Sequence, residues 1–165
     1  MKDRDIIDIL IDEWQQERPE LDVSAMAVVG RILSLGKTLE KRAGTALKGS
    51  GIHYTDLDVL ATLRRSGTPY ALTPTQLMQS VLITSGAMTA LLDRLTKLNL
   101  IRRAPDGKDK RIKRAVLTQK GLETINSAIE IRFKEAHDSI AILNKTEQEN
   151  LAHLLRKLVL AISET

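Results

Sequence analysis

The sequence predicts a mainly α-helical fold with one small β-hairpin, and three observations carry that expectation. Apolar residues recur at spacings of three and four along most of the chain, the period of one helix face. Cap signatures punctuate that periodicity. A single stretch instead places two short apolar runs on either side of Pro105-Asp106-Gly107-Lys108-Asp109, the composition of a turn between two strands.

The first helix is expected over residues 3–17, where Ile6, Ile7, Leu10, Ile11 and Trp14 share a face and Arg18-Pro19-Glu20 stops the chain. A longer helix opens at the cap Ser24. It carries two apolar stripes, Met26, Val29, Leu33 and Val28, Ile32, Leu35, Leu39, and runs to Lys48-Gly49-Ser50-Gly51. Two stripes imply contact with two partners. Thr55 followed three residues on by Asp58 reads as a capping box for a short third helix that closes at Ser66-Gly67. Thr73-Pro74-Thr75-Gln76 repeats that signature with proline at the first helical position, so a fourth helix runs from Pro74 to about Val81.

A fifth helix opens at Thr84 or Ser85 and continues through Met88, Leu91, Leu92, Leu95 and Leu98. Two helices joined by so few residues form a helix-turn-helix. Two strands follow, Leu100-Ile101-Arg102-Arg103 and the run from Lys113 to Thr118, whose hairpin is a candidate wing. The remainder returns to helix, over residues 120–141 and, after the Asn144 cap with Glu147, over residues 146–162.

Composition narrows the function. The chain has 165 residues, 42% of them hydrophobic, enough to fill a core. No cysteine occurs, which excludes disulfides, thiolate metal sites and cysteine nucleophiles. His53, His137 and His153 are scattered outside any zinc spacing, no phosphate-loop, dinucleotide or hydrolase motif occurs, and neither cofactor nor enzymatic activity is expected. The chain starts with mixed charges and contains no apolar run near the roughly 18 residues of a membrane span, so a soluble cytoplasmic protein is expected. Only Trp14, Tyr54, Tyr70 and Phe133 are aromatic, too few for base-stacking platforms; a nucleic-acid partner would be duplex.

The net charge of +4 is unevenly spread. Between Asp93 and Lys120 ten basic residues face three acidic ones, +7 in 28 residues, while the remainder of the chain nets −3. A charged turn could merely be solvated, but this cluster directly follows a helix-turn-helix, where wing and recognition helix together meet duplex phosphates. Thr84, Ser85, Gly86 and Thr89 at the start of the fifth helix are small or hydroxylated, as groove entry requires.

Leu98-Asn99-Leu100-Ile101-Arg102-Arg103, then Asp109-Lys110-Arg111, five further residues, and Leu117-Thr118-Gln119-Lys120-Gly121 resemble the D-x-R…L-T-x-K-G pattern of MarR-family transcriptional regulators. The resemblance covers nearly the whole chain. It implies one domain over residues 1–165: a winged helix-turn-helix lobe at 55–118, and a helical dimerisation region from residues 3–48 and 120–163. It further implies a homodimeric repressor on a pseudo-palindromic operator. Arg111 would enter the minor groove, braced by Asp109 and flanked by Lys108, Lys110 and Lys113; the plainer reading is that Asp109 and Arg111 only pair across a turn. The competing class is a winged-helix adaptor that binds protein and not DNA.

Leu57-Asp58-Val59-Leu60 and the segment 82–89 are further similar to the urate-responsive branch, which carries a tryptophan in an added amino-terminal helix. By that resemblance Trp14, Asp58 and Arg103 would line a ligand site, with Arg94 or Arg103 supplying the cation for a small aromatic or phenolic anion. Leu91 stands where the branch carries arginine. Asp58 as a simple cap and Trp14 as a core anchor are the alternatives.

Overall fold

The computed structural model describes residues 4–81, 85–106 and 111–163. The elements follow in the order α1 (Ile6–Glu17), α2 (Met26–Ala46), α3 (Tyr54–Arg65), β1 (Ala71–Leu72), α4 (Pro74–Ser80), α5 (Ser85–Lys97), β2 (Ile101–Pro105), β3 (Lys113–Leu117), α6 (Gln119–Ser139) and α7 (Lys145–Ser163). The chain divides into two compact units, Met1–Arg42 and Ala43–Thr165.

In the first unit a reciprocal cap starts α1. Asp5 accepts from the amides of Ile7 (2.8 Å) and Asp8 (3.1 Å), and Asp8 accepts from the amide of Asp5 (2.9 Å). Ile7, the buried residue of α1, lies against Gly30 of α2, where an added Cβ would stand 3.1 Å from its Cγ2. Arg31, one residue on, pairs with Asp5 (2.8 Å) and Asp8 (2.6 Å), and this guanidinium holds the Asp8 carboxyl below its ordinary range. α2 begins at Met26, two residues past the expected cap, and the amide of Ser24 donates to the Asp22 carboxylate at 2.9 Å.

The second unit is organised around Leu47, Leu60, Leu63, Leu77, Leu92, Leu95, Ile101 and Ile125, which form one buried cluster running from the α2–α3 connection to α6. The helix-turn-helix and wing are therefore held by a shared core. α4 begins as its sequence predicts, with Thr73 accepting from the amide of Gln76 and the Gln76 side chain accepting from Thr73. Asn144 and Glu147 cap α7 in the same reciprocal way.

Two further expectations are corrected. The cap of α3 uses His53 and Asp56 in place of Thr55 and Asp58: the amide of His53 donates to the Asp56 carboxylate at 2.7 Å, because the helix starts at Tyr54. The predicted two-stranded hairpin is a three-stranded antiparallel sheet ordered β1-β3-β2. β1 adds the pairs Ala71↔Val116 and Leu72↔Ala115, a strand too short to show a period of two. β2 and β3 run in register from Ile101↔Leu117 to Pro105↔Lys113, with Pro105 on an edge strand where a missing amide proton is tolerated.

α7 contrasts with this core. It has no buried residue, although Leu151, Leu154, Leu155, Leu158, Val159, Leu160 and Ile162 all lie on it. Among the described residues no helix is long and apolar enough to cross a membrane.

Candidate nucleic-acid interface

α5 is amphipathic in the sense needed for groove entry. Met88, Leu92 and Leu95 are buried in the lobe, which turns Gly86, Ala87, Thr89, Ala90 and Asp93 outward. A Cβ on Gly86 would meet nothing within 4 Å, so this end of the helix presents a low surface. Gly86 and Thr89 thus stand on the exposed face as expected. Ser85 is the first residue of α5. Thr84 lies outside the described residues, as does the side chain of Ser85.

The root of the wing is tightly specified. The Asp106 amide donates to the Ile112 carbonyl at 2.8 Å, closing the hairpin just beyond the β2–β3 ladder. Asp106, which reads in sequence as one more acid in a charged turn, is buried and paired with Arg114. Arg111 and Lys113 are exposed on the returning arm, beside half-exposed Ile112. Lys108, Asp109 and Lys110 lie outside the described residues.

Several of the ten clustered cations are engaged within the lobe. Arg94 lies 3.1 Å from Asp56 and 3.0 Å from the His53 ring, Arg103 lies 3.1 Å from Asp93, Arg114 holds Asp106, and the Lys120 ammonium donates to the Leu98 carbonyl at 3.0 Å. Lys97, Arg102, Arg111 and Lys113 are exposed. Among the described residues the exposed cations of the cluster thus lie at the end of α5, on β2, on the returning arm of the wing and, with Lys120, at the start of α6.

Of the expected ligand residues, Asp58 is half-buried and borders a cavity of about 220 Å³ shared with Thr62, Arg65, Ser80 and Val81. Burial pushes its carboxyl above the ordinary range, against the opposing charges of Arg65 and Arg132. Arg94 and Arg103 do not line this cavity; each is paired with an aspartate of its own. Trp14, in the first unit, is half exposed.

Asp56 was invisible as a functional residue in the sequence. It is fully buried, its Oδ2 takes both the His53 amide and Arg94, and its Oδ1 has no hydrogen-bond partner among the described residues. A buried carboxylate at the first turn of α3 holding a cation of α5 ties the supporting helix to the exposed one. Only the three-residue His53-to-Asp56 spacing could have indicated it.

The sequence profile of the MarR family matches residues 50–112. The HTH-type transcriptional regulator PecS of Dickeya dadantii (strain 3937) is 31% identical over 146 residues, covering 88% of this chain and 88% of that protein. In fold the chain is similar to a mutant MarR from E. coli complexed with operator DNA, with a TM-score of 0.72 and 23% identity over 84% of this chain and 99% of that one. It is similar as well to Bordetella bronchiseptica BpsR, solved for the regulation of its DNA binding by 6-hydroxynicotinic acid, with a TM-score of 0.72 and 19% identity over 80% and 92% of the two chains. These relatives are transcriptional regulators and not enzymes. With PecS matched across most of both sequences and the profile spanning the lobe from α3 to the wing, the chain belongs to the MarR family of winged helix-turn-helix transcriptional regulators.

Proposed function

We propose that this protein is a cytoplasmic homodimeric repressor that binds a pseudo-palindromic duplex through α5 and the wing and is released by a small aromatic or phenolic anion. The observation that carries the DNA reading is the pairing of a low exposed helix face, at Gly86 and Thr89, with an exposed cationic arm at Arg111 and Lys113. In this reading Thr84, Ser85, Gly86 and Thr89 meet base edges and phosphates, and Lys108, Lys110, Arg111 and Lys113 line the backbone or minor groove. Residues 3–48 and 120–163 supply the dimer contacts, supported by the exposed apolar side chains of α1, α2 and α7. The effector reading is supported by the cavity at Asp58, whose raised carboxyl can donate a hydrogen bond to an anion when protonated.

The test is a gel shift across a salt series. Wild-type binding to promoter DNA should fall with a log–log slope of about −0.9 per neutralised phosphate, and Arg111→Ala should lower affinity about tenfold with dimer and melting temperature unchanged. A salt-insensitive association with protein and none with DNA would establish the adaptor instead. For the effector, aromatic acids should quench Trp14 fluorescence and loosen the shifted complex; a panel of urate, salicylate and other phenolic acids that changes neither overturns that part.

A further inference from the structure

The L-T-x-K-G segment is embedded in the lobe in a way its charge does not suggest. α5 ends at Lys97, and the carbonyls of a final helical turn lack partners within the helix. Asn99 turns the chain with φ 58°, and the amides of Asn99 and Leu100 return to Thr96 (2.9 Å) and Leu95 (3.0 Å). The next three carbonyls, of Leu98, Asn99 and Leu100, all meet the start of α6. The Lys120 ammonium donates to Leu98 at 3.0 Å, the Thr118 hydroxyl to Asn99 at 2.7 Å, and the Thr118 amide to Leu100 at 3.1 Å. The same hydroxyl oxygen accepts from the Gly121 amide at 2.9 Å and so caps α6. Gly121 completes the contact: an added Cβ would lie 1.9 Å from the Leu100 carbonyl oxygen, a distance no side chain could occupy without moving backbone.

We propose that Thr118, Lys120 and Gly121 form a splice that fixes the angle of α5 to α6, with Thr118 and Lys120 acting as positioning residues for the DNA-reading helix. Lys120 in this role is an intramolecular cap at the negative end of α5 and not a phosphate contact. Changing the α5–α6 angle would break several of these bonds at once, so the two helices move as one body. The consequence for function rests on the proposed dimeric DNA reading: α6 leads into the dimerisation region, and the splice would carry the geometry of that region to the separation between two copies of α5.

The experiment compares Lys120→Met, Thr118→Val and Lys120→Arg with wild type in two arms. Without DNA, hydrogen exchange of the amides over residues 97–101 should accelerate about tenfold in Lys120→Met and Thr118→Val, with the core of α3 unaltered and Lys120→Arg close to wild type. With DNA, the probe is a duplex selected from a random pool by the wild-type protein, together with versions whose half-sites are moved one base pair closer or further apart. Lys120→Met should bind the selected duplex about tenfold more weakly, discriminate less between spacings and keep the wild-type salt slope, because no phosphate contact is lost. Unaltered exchange with unaltered spacing discrimination overturns the splice, and so does a salt slope reduced by about 0.9 with spacing discrimination intact. If Lys120→Met does not fold, Lys120→Gln, a shorter donor, is judged by the same criteria. A wild-type protein that selects no duplex refutes the DNA reading alone, while the exchange arm still decides the splice.

Discussion

α3 and α7 are both amphipathic helices rich in leucine, yet they end in opposite environments. Leu57, Leu60 and Leu63 of α3 are buried within the lobe, whereas Leu154, Leu158 and Val159 of α7 are exposed. The periodicity that marks an apolar face does not say what covers it. In the lobe the covering elements lie close in the same chain; for α7 the described residues provide none, and we assign the role to a second copy.

The contrast can be broken at several points. The largest effect is expected from Leu154→Glu with Leu158→Glu, which should weaken self-association roughly a thousandfold in sedimentation, since unpaired carboxylates cost several kcal/mol each to bury. Retained dimer would place the interface elsewhere. Leu60→Ala, by contrast, should leave association intact and cost about 2–5 kcal/mol in denaturant unfolding, the penalty for a cavity in a packed core.

Ion pairs sharpen the comparison within the lobe. Asp56→Ala removes both the cap of α3 and the buried partner of Arg94 and should destabilise by about 1–2 kcal/mol, whereas Asp93→Ala, which breaks an exposed pair with Arg103, should cost less than about 1 kcal/mol. Equal losses in thermal denaturation would show that burial of Asp56 does not set its contribution. The smallest effect is expected at Asp58. Its folded-state pKa is raised by desolvation, so the ionised carboxylate opposes folding at neutral pH and the penalty fades as pH falls through that raised value. Asp58→Asn should therefore raise the melting temperature slightly at pH 7, and the gain should shrink on acidification. A gain that grows on acidification would contradict the sign.

Most of the fold was legible because its signals are local. The Thr73/Gln76 and Asn144/Glu147 caps, the helical stripes and the pairing of β2 with β3 each rest on residues near one another in the chain. What escaped depends on distant partners. β1 exists because Ala71 and Leu72 meet β3, and two residues carry no pattern of their own. Asp58 fitted the cap spacing as well as Asp56 does, and only the position of the helix start decides between them. At the candidate interface, the exposure of Arg111 and Lys113 agrees with the cationic cluster read in the sequence. The engagement of Arg114 with Asp106 and of Lys120 with Leu98 was not legible, because a formal charge in sequence does not reveal whether its end faces solvent or a neighbour.

The notch at Gly30 bears on how the first helix could be used. Ile7 lies against Gly30 and Arg31 pairs with both carboxylates of the opening turn, so α1 is anchored to α2 at its amino-terminal end. An added Cβ at position 30 would oblige the Ile7 side chain to give by a few tenths of an ångström. The one indole of the protein rides on this helix seven residues beyond that anchor, so its emission should register a loosened anchor as well as an arriving ligand, and Ile7→Ala measured without ligand separates the two.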